Sequence, residues 1–263
     1  MAKSSIACKA KKQTGKQRKS RSNKQGRKLG QAATLPGKLW TEWLKHCLAN
    51  ARSWLYALLL ICHLLCLRVS EGLALSASDF DFKSCSVLIK PLKRQPALRK
   101  PLLAEMKSIL LQLKQNGVSK RRSEFRGSQG KITFRDAWTW PRSGALFPSE
   151  RPDAKSDIRN KNTVAKTISR LRGSFTLATE GVVRSHSARH SMINALRMNG
   201  VPDDISMYYA RISDKKVFSK YGQVTSLQAS SLLKAQKSFR GAAAAQYQSL
   251  LPKRKSTRKT NRK

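Results

Sequence analysis

Four side chains, Arg68, His186, Arg189 and Tyr221, have the types needed to cut a phosphodiester bond. Two guanidiniums can grip the non-bridging oxygens of one phosphate, an imidazole can move a proton, and a phenol can attack phosphorus and be held as a covalent ester. In His186-Ser187-Ala188-Arg189-His190 the first and fourth residues share a helix face and can address one phosphate together, with His190 facing elsewhere. Tyr221 lies in Phe218-Ser219-Lys220-Tyr221-Gly222, with Lys215 and Lys216 upstream, a setting that suits a mobile cationic site better than a packed core. Tyr208 and Tyr209 fall in an apolar helical run and read as structural. Arg68 taken alone reads equally well as an ion-pair partner of Glu71 that tidies a helix end. The two readings are compatible.

Composition gives such a site its substrate class. Lys and Arg total 54 against 14 Asp and Glu, a formal charge of +40 with a pI near 11.0, so the ligand of this polycation is a polyanion. The charge is uneven. Residues 1–28 hold eleven Lys or Arg and no acid, and 253–263 form a second basic cluster. Both read as solvated arms, serving solubility or nuclear import on one view and direct phosphate binding on the other. The apolar run from Trp54 to Leu67 is shorter than a bilayer span and too far from the N-terminus for a signal peptide, so it is expected to be a core helix. Five cysteines, an odd number in mostly apolar surroundings, do not form a secreted disulfide framework and point to a reducing compartment. Cys62, His63 and Cys66 suggest a metal, but no third and fourth ligand lies near them in sequence, and neither metal nor cofactor is expected.

The elements that must position these residues follow from periodicity. Helices are expected at about 38–49 and 52–67, the second ended by Arg68. Alternation over Asp79–Phe82 and Ser86–Lys90, continuing toward Leu98, predicts short antiparallel strands. A helix beginning at Pro101 would place Leu102, Leu103, Met106, Ile109, Leu110 and Leu113 on one inward face until Asn116-Gly117 stops it. Residues 118–160 read as a long surface insertion with one strand near 131–135 and Trp138 and Trp140 as its anchors. Helical periodicity returns with Asn162 or Thr163 as cap and Val164, Ile168 and Leu171 inward. The His186 segment is expected to start at a Ser185 or Ser187 cap and end at Gly200, followed by helices opened by Pro202 and by Asp214, the latter carrying Tyr221, and a last one at 225–240. The chain is therefore mainly α with a small antiparallel β-sheet, an α+β protein.

Order and context of these residues resemble the tyrosine recombinase, or phage-integrase, family. There an apolar helix runs into Gly-Leu-Arg-Ile/Val-Ser-Glu-Leu and then an Asp-rich strand start. Here Cys66-Leu67-Arg68-Val69-Ser70-Glu71 and Asp79-Phe80-Asp81 correspond, with Cys66 in place of glycine. Downstream of the His186 box, Leu196-Arg197-Met198-Asn199-Gly200-Val201 resembles the family's Leu-x-x-x-Gly-Val run. The resemblance covers 35–240, which divides the chain into a basic arm at 1–34, a catalytic domain at 35–240 with 118–160 as insertion or long loop, and a basic tail at 241–263.

That resemblance implies a metal-free mechanism on double-stranded DNA. Tyr221 is the nucleophile, His186 assists proton movement, Arg68 and Arg189 hold the equatorial oxygens, and Glu71 is an acid beside the active arginine. The acid that protonates the leaving 5′-oxygen is Lys93, counted back from Lys100-Pro101-Leu102, with Lys90 the alternative and a plain backbone contact an equal reading. Arg211, after Ala210, stands where the family usually has histidine or tryptophan and can donate to the same phosphate. Strand exchange implies self-association on DNA as a dimer or tetramer, in the nucleus of a eukaryote or otherwise in the cytoplasm. Recombinases usually place a helical core-binding domain ahead of the catalytic one. Only the basic arm precedes residue 35, so the alternative functions are a catalytically impaired DNA-binding remnant of a mobile element and a non-specific basic nucleic-acid-binding protein.

Overall fold

The most apolar stretch of the chain forms the helix around which the others pack. In the computed structural model, which describes residues 32–91, 96–125, 127, 130–150, 156–177 and 181–221, this is α2, Ser53–Leu64, with buried side chains on every side of it. It is preceded by α1, Gly37–Asn50, which turns Trp40, Trp43 and Cys47 inward at one-turn spacing. No helix among the described residues is long and apolar enough to cross a membrane.

α2 stops three residues earlier than its hydrophobicity predicts. Cys66 adopts a left-handed backbone (φ 51°), its N–H bonds to His63 O, and Leu67 N–H reaches back to Cys62 O. These two bonds form a Schellman turn, which ends the helix whatever the polarity of the next side chain. The chain leaves it extended at Arg68, the N-cap of the short helix α3, Val69–Leu73. Strands β1 (Phe80–Asp81), β2 (Ser86–Ile89) and β3 (Leu98–Pro101) form an antiparallel sheet in that order, with Val87 opposite Lys100 and Ser86 opposite Pro101. Pro101 therefore ends a strand instead of opening a helix, a place where its missing N–H costs nothing. Helix α4, Ala104–Asn116, starts later and buries only Leu110 and Leu113. Leu103 is 56 % exposed and Ile109 is also exposed, so the inward stripe is narrower than expected.

The supposed surface insertion contains a long hairpin. β4 (Val118–Phe125) pairs antiparallel with β5 (Lys131–Trp138) over eight residues, so two strands stand where one was expected. On β4 the inner face carries Lys120, Arg122 and Glu124 where a sequence reading looks for apolar residues, and Asp136 joins them from β5. Lys120 donates to Leu48 O and Ala49 O at the C-terminal end of α1. Asp136 accepts from Ser53 N (2.8 Å) and Ser53 Oγ (3.1 Å) at the first turn of α2. Cation at a helix C-terminus and anion at a helix N-terminus are the signs the helix dipole favours. Trp138 and Trp140 are buried anchors as expected, Trp138 stacking on Phe147 and donating Nε1–H to Leu146 O.

Helix α5 is Lys161–Leu171, capped two or three residues earlier than expected by Asn160, with Val164, Ile168 and Leu171 buried as predicted. α6 is Ser187–Met198 with His186 itself at the N-cap, and Gly200 (φ 74°) follows it. α6 lies across α2, where His63 donates Nδ1–H to Ala188 O at 3.1 Å. α7 (Asp203–Ala210) and the single turn α8 (Lys215–Phe218), capped by Asp214, close the order, and Tyr221 follows α8 instead of lying within it. The helix expected at 225–240 lies outside the described residues.

Gly72 is what lets α3 sit against α2. A Cβ there would lie 2.5 Å from Cys62 Sγ and 3.1 Å from Leu58 Cδ1. Gly72→Ala is expected to lower stability by about 1–3 kcal/mol in urea denaturation, and Cys62→Ala in the same chain to recover part of it; a single variant as stable as the parent would show that this contact is loose.

Candidate active site

Glu71 gathers the site. Its side chain is 1 % exposed, and as the N3 residue of α3 it accepts the N-cap amide of Arg68 at 2.7 Å, a capping arrangement that fixes the carboxylate before any tertiary partner arrives. Around it stand Arg68 Nη1 at 3.1 Å, Arg211 Nη1 at 3.2 Å and Arg189 Nη1 at 3.7 Å. The sequence-expected arginines 68, 189 and 211 are thus brought together by one carboxylate, and the expected Arg68–Glu71 ion pair is present.

Arg189 is entirely buried. Its Nη1 donates to Cys66 O at 3.0 Å and its Nη2 to Ala210 O, while Nε has no partner among the described residues. It therefore ties together the two turns that precede Arg68 and Arg211. Arg211 is left-handed (φ 53°), and its Nη2 donates to Pro96 O at 2.5 Å. That contact brings the chain just after Lys93 to the arginine cluster. Lys93 itself lies outside the described residues, and Lys90 pairs with Asp79 (3.2 Å) and Ser76 Oγ (2.9 Å).

His186 is exposed at the start of α6. Desolvation of its ring, then the charges of Arg189 and Arg68, lower its pKa against an opposing effect of Glu71. Tyr221 packs its ring 4.4 Å from that of His190, and the guanidinium carbon of Arg189 lies 5.7 Å from the Tyr221 centroid. Arg197 Nη1 holds Tyr221 O at 2.6 Å.

Two residues of this neighbourhood escaped the sequence reading. His190 does not face away: it is 6 % exposed, its Nδ1 lacks a partner among the described residues, and burial drives its pKa down to about 4. The helix-face argument failed because every residue of α6 from Ser187 to Asn194 is buried, so no face of that stretch is turned to solvent. Lys100, which served only as a landmark, is fully buried on β3. It donates to Leu65 O at 2.7 Å and lies over the Tyr209 ring, and burial lowers its pKa to about 8. A buried lysine is invisible in a chain so rich in lysine.

Tyr209 is structural as expected, donating its hydroxyl to Leu64 O at 2.9 Å, but Tyr208 is 58 % exposed. The side chains of Cys62, His63 and Cys66 turn to backbone carbonyls of Arg68, Ala188 and Arg189 respectively, and among the described residues no group of three or more His, Cys, Asp or Glu is placed to hold a metal.

The family model described as the phage integrase family matches residues 39–227. No curated protein sequence matches the chain significantly. Among solved structures, the XerA recombinase aligns with TM-score 0.54 at 12% identity over 80% of this chain and 65% of its own. The Tn1549 transposon integrase in complex with a circular intermediate DNA aligns with TM-score 0.51 at 14% identity over 77% and 65%. The XerH site-specific recombinase bound to palindromic difH substrate aligns with TM-score 0.52 at 15% identity over 79% and 54%. These likenesses establish a shared fold, and this chain spans less than two thirds of the length of each.

Two outcomes follow for the buried charges. Glu71→Gln leaves the guanidinium of Arg189 buried without its counter-charge and is expected to cost about 3–5 kcal/mol in chemical denaturation; a loss under about 1 kcal/mol would place the cluster in solvent. His63 and His190 are both held down to about 4 from an ordinary 6.5. Between those values the unfolded chain binds protons that the folded chain refuses, so stability that is complete above pH 6.5 is lost as pH falls toward 4. Urea midpoints across that range measure the loss, and replacing both rings by glutamine should flatten it.

Proposed function

Because the chain belongs to the phage integrase family, we propose that it cuts and rejoins duplex DNA through a 3′-phosphotyrosyl intermediate, serving site-specific recombination or the integration of a mobile element. The observation that carries this reading is the convergence of Arg68, Arg189 and Arg211 on one buried carboxylate beside Tyr221. Three guanidiniums against one carboxylate leave an excess of positive charge, which matches a phosphate that gains negative charge in its transition state.

In this mechanism the Tyr221 phenol attacks phosphorus and its proton passes to His186. The P–O5′ bond breaks as the tyrosyl ester forms, and the departing 5′-oxygen takes a proton from Lys93, or from Lys90. Arg68 and Arg211 donate to the equatorial oxygens, and Arg189 contributes its charge and the Nε–H not given to a carbonyl. One phosphoester replaces another, so a 5′-hydroxyl of a second strand can reverse the step without ATP. Exchange between duplexes needs more than one active tyrosine, hence more than one copy of the chain on DNA.

A second reading, a DNA-binding remnant impaired in cleavage, draws support from the complete burial of Arg189, which donates from both terminal nitrogens to backbone carbonyls, Cys66 O and Ala210 O. The two readings separate on a nicked duplex that traps the covalent intermediate. The wild-type chain should give a protein–DNA adduct on a denaturing gel in the presence of EDTA, Tyr221→Phe none, and Arg68→Lys an adduct formed about 10²–10³ times more slowly with DNA binding nearly intact. Adduct from the Tyr221→Phe chain moves the nucleophile elsewhere, and none from wild type on any duplex favours the remnant.

A further inference from the structure

The two faces of the β4–β5 hairpin differ sharply in charge. Both of its acids, Glu124 and Asp136, lie on the inner face, Glu124 with Arg52 (3.3 Å) and Arg122 (3.1 Å), Asp136 with the first turn of α2. The outer face carries Arg121, Arg135 and Lys131, all exposed, with the hydroxyls of Ser119, Ser123 and Thr133 between them and no carboxylate. Among the described residues none of the three cations is in an ion pair. The register sets Arg121 directly opposite Arg135, a pairing that costs stability unless an anion lies across it. A depression of 680 Å³ opens at the same place, lined by Ser119, Lys120, Arg121, Thr133, Phe134 and Arg135.

This face is separate from the arginine cluster. The hairpin is fixed to the Ser53 end of α2, while the turn leading to Arg68 lies at the Leu64 end. The twelve residues of α2, about 18 Å of helix, lie between the two ends. The inner-face contacts to both α1 and α2 make the hairpin a rigid mount, so the outer cations are presented and not merely tethered.

We propose that the outer face of the β4–β5 hairpin binds the sugar–phosphate backbone of duplex DNA beyond the scissile position. Charge decides the occupant: a second copy of a chain carrying +40 would be repelled, whereas a phosphate backbone can bridge Arg121 and Arg135 while the hydroxyls donate to neighbouring oxygens. The contact carries no base information, so it sets register and affinity and not sequence. The inference rests on duplex DNA as the partner in the proposed function but does not need the cleavage step.

The test replaces Arg121, Arg135 and Lys131 together by serine in the full chain and measures duplex binding against salt. The slope of log K on log salt should fall by about 2–3, hydroxyl-radical footprinting should lose protection of backbone away from the nick while keeping it at the nick, and adduct at saturating protein should stay unchanged. A second chain with Arg121→Lys and Arg135→Lys keeps the charge and should keep the slope. Unchanged slope and footprint in the serine chain overturn the proposal, as does a lysine chain that loses as much as the serine chain, since the loss would then be structural. Loss confined to duplex RNA overturns it too. Wild-type protein that is footprinted as expected but gives no adduct sinks the cleavage reading alone; wild-type protein that binds no duplex sinks this one.

Discussion

The carboxylate of Glu71 is the constraint on which the site depends. Arg189 is fully buried, and a guanidinium in that position is sustained only by counter-charge and acceptors close by. Glu71 supplies the charge and the carbonyls of Cys66 and Ala210 supply the acceptors. The same carboxylate caps α3 and orients Arg68 and Arg211. It thus serves a five-residue helix and three arginines at once, and it leaves positive charge in excess around itself.

The end of α2 shows how distant parts of the chain agree on one turn. A helix terminus leaves carbonyls without partners, and here three consecutive ones are taken by three elements: Leu64 O by Tyr209 of α7, Leu65 O by Lys100 of β3, Cys66 O by Arg189 of α6. Each donor comes from outside the helix, so the turn that presents Arg68 is held by sheet and helices together. A buried lysine and a buried arginine side by side would repel, and Lys100 answers this with a lowered pKa, burial being the larger cause. Its hydrogen bond to Leu65 O does not require the charge, because a neutral amine also donates.

What the sequence showed and what it hid divide along one physical line. Arg68 with Glu71, and His186 with Arg189, are local pairs whose spacing is set by helix geometry, so they were legible, as were α1, α2 and the buried stripe of α5. His190 and Lys100 acquire their roles from elements folded over them, and nothing local marks that. The hairpin was half missed because its inner face alternates Lys120, Arg122 and Glu124 where a strand signal looks for apolar residues. Lys120 finds the end of α1 and Glu124 finds Arg52, partners unknown before folding, while Arg122 pairs along its own strand with Glu124. The expected stripe on α4 erred in the other direction: apolar residues were present, but β3 runs on through Pro101, so the helix starts later and leaves Leu103 and Ile109 exposed.

Backbone conformation gives an independent mark of where side chains matter. Three Schellman turns end helices here, at Cys66, Gly200 and Arg211, each in the left-handed region. At Gly200 glycine takes the conformation freely. At the other two a side chain is kept although each costs about 1–2 kcal/mol relative to a right-handed residue. Those two turns are the ones Arg189 joins, through Cys66 O and Ala210 O. Arg211 must be left-handed for its own backbone to close α7, and its guanidinium reaches Glu71 from that position. Cys85 (φ 51°), in the turn between β1 and β2, is left-handed as well, so the conformation is not confined to the site, but of these three residues it is Arg211 whose side chain also bonds Glu71.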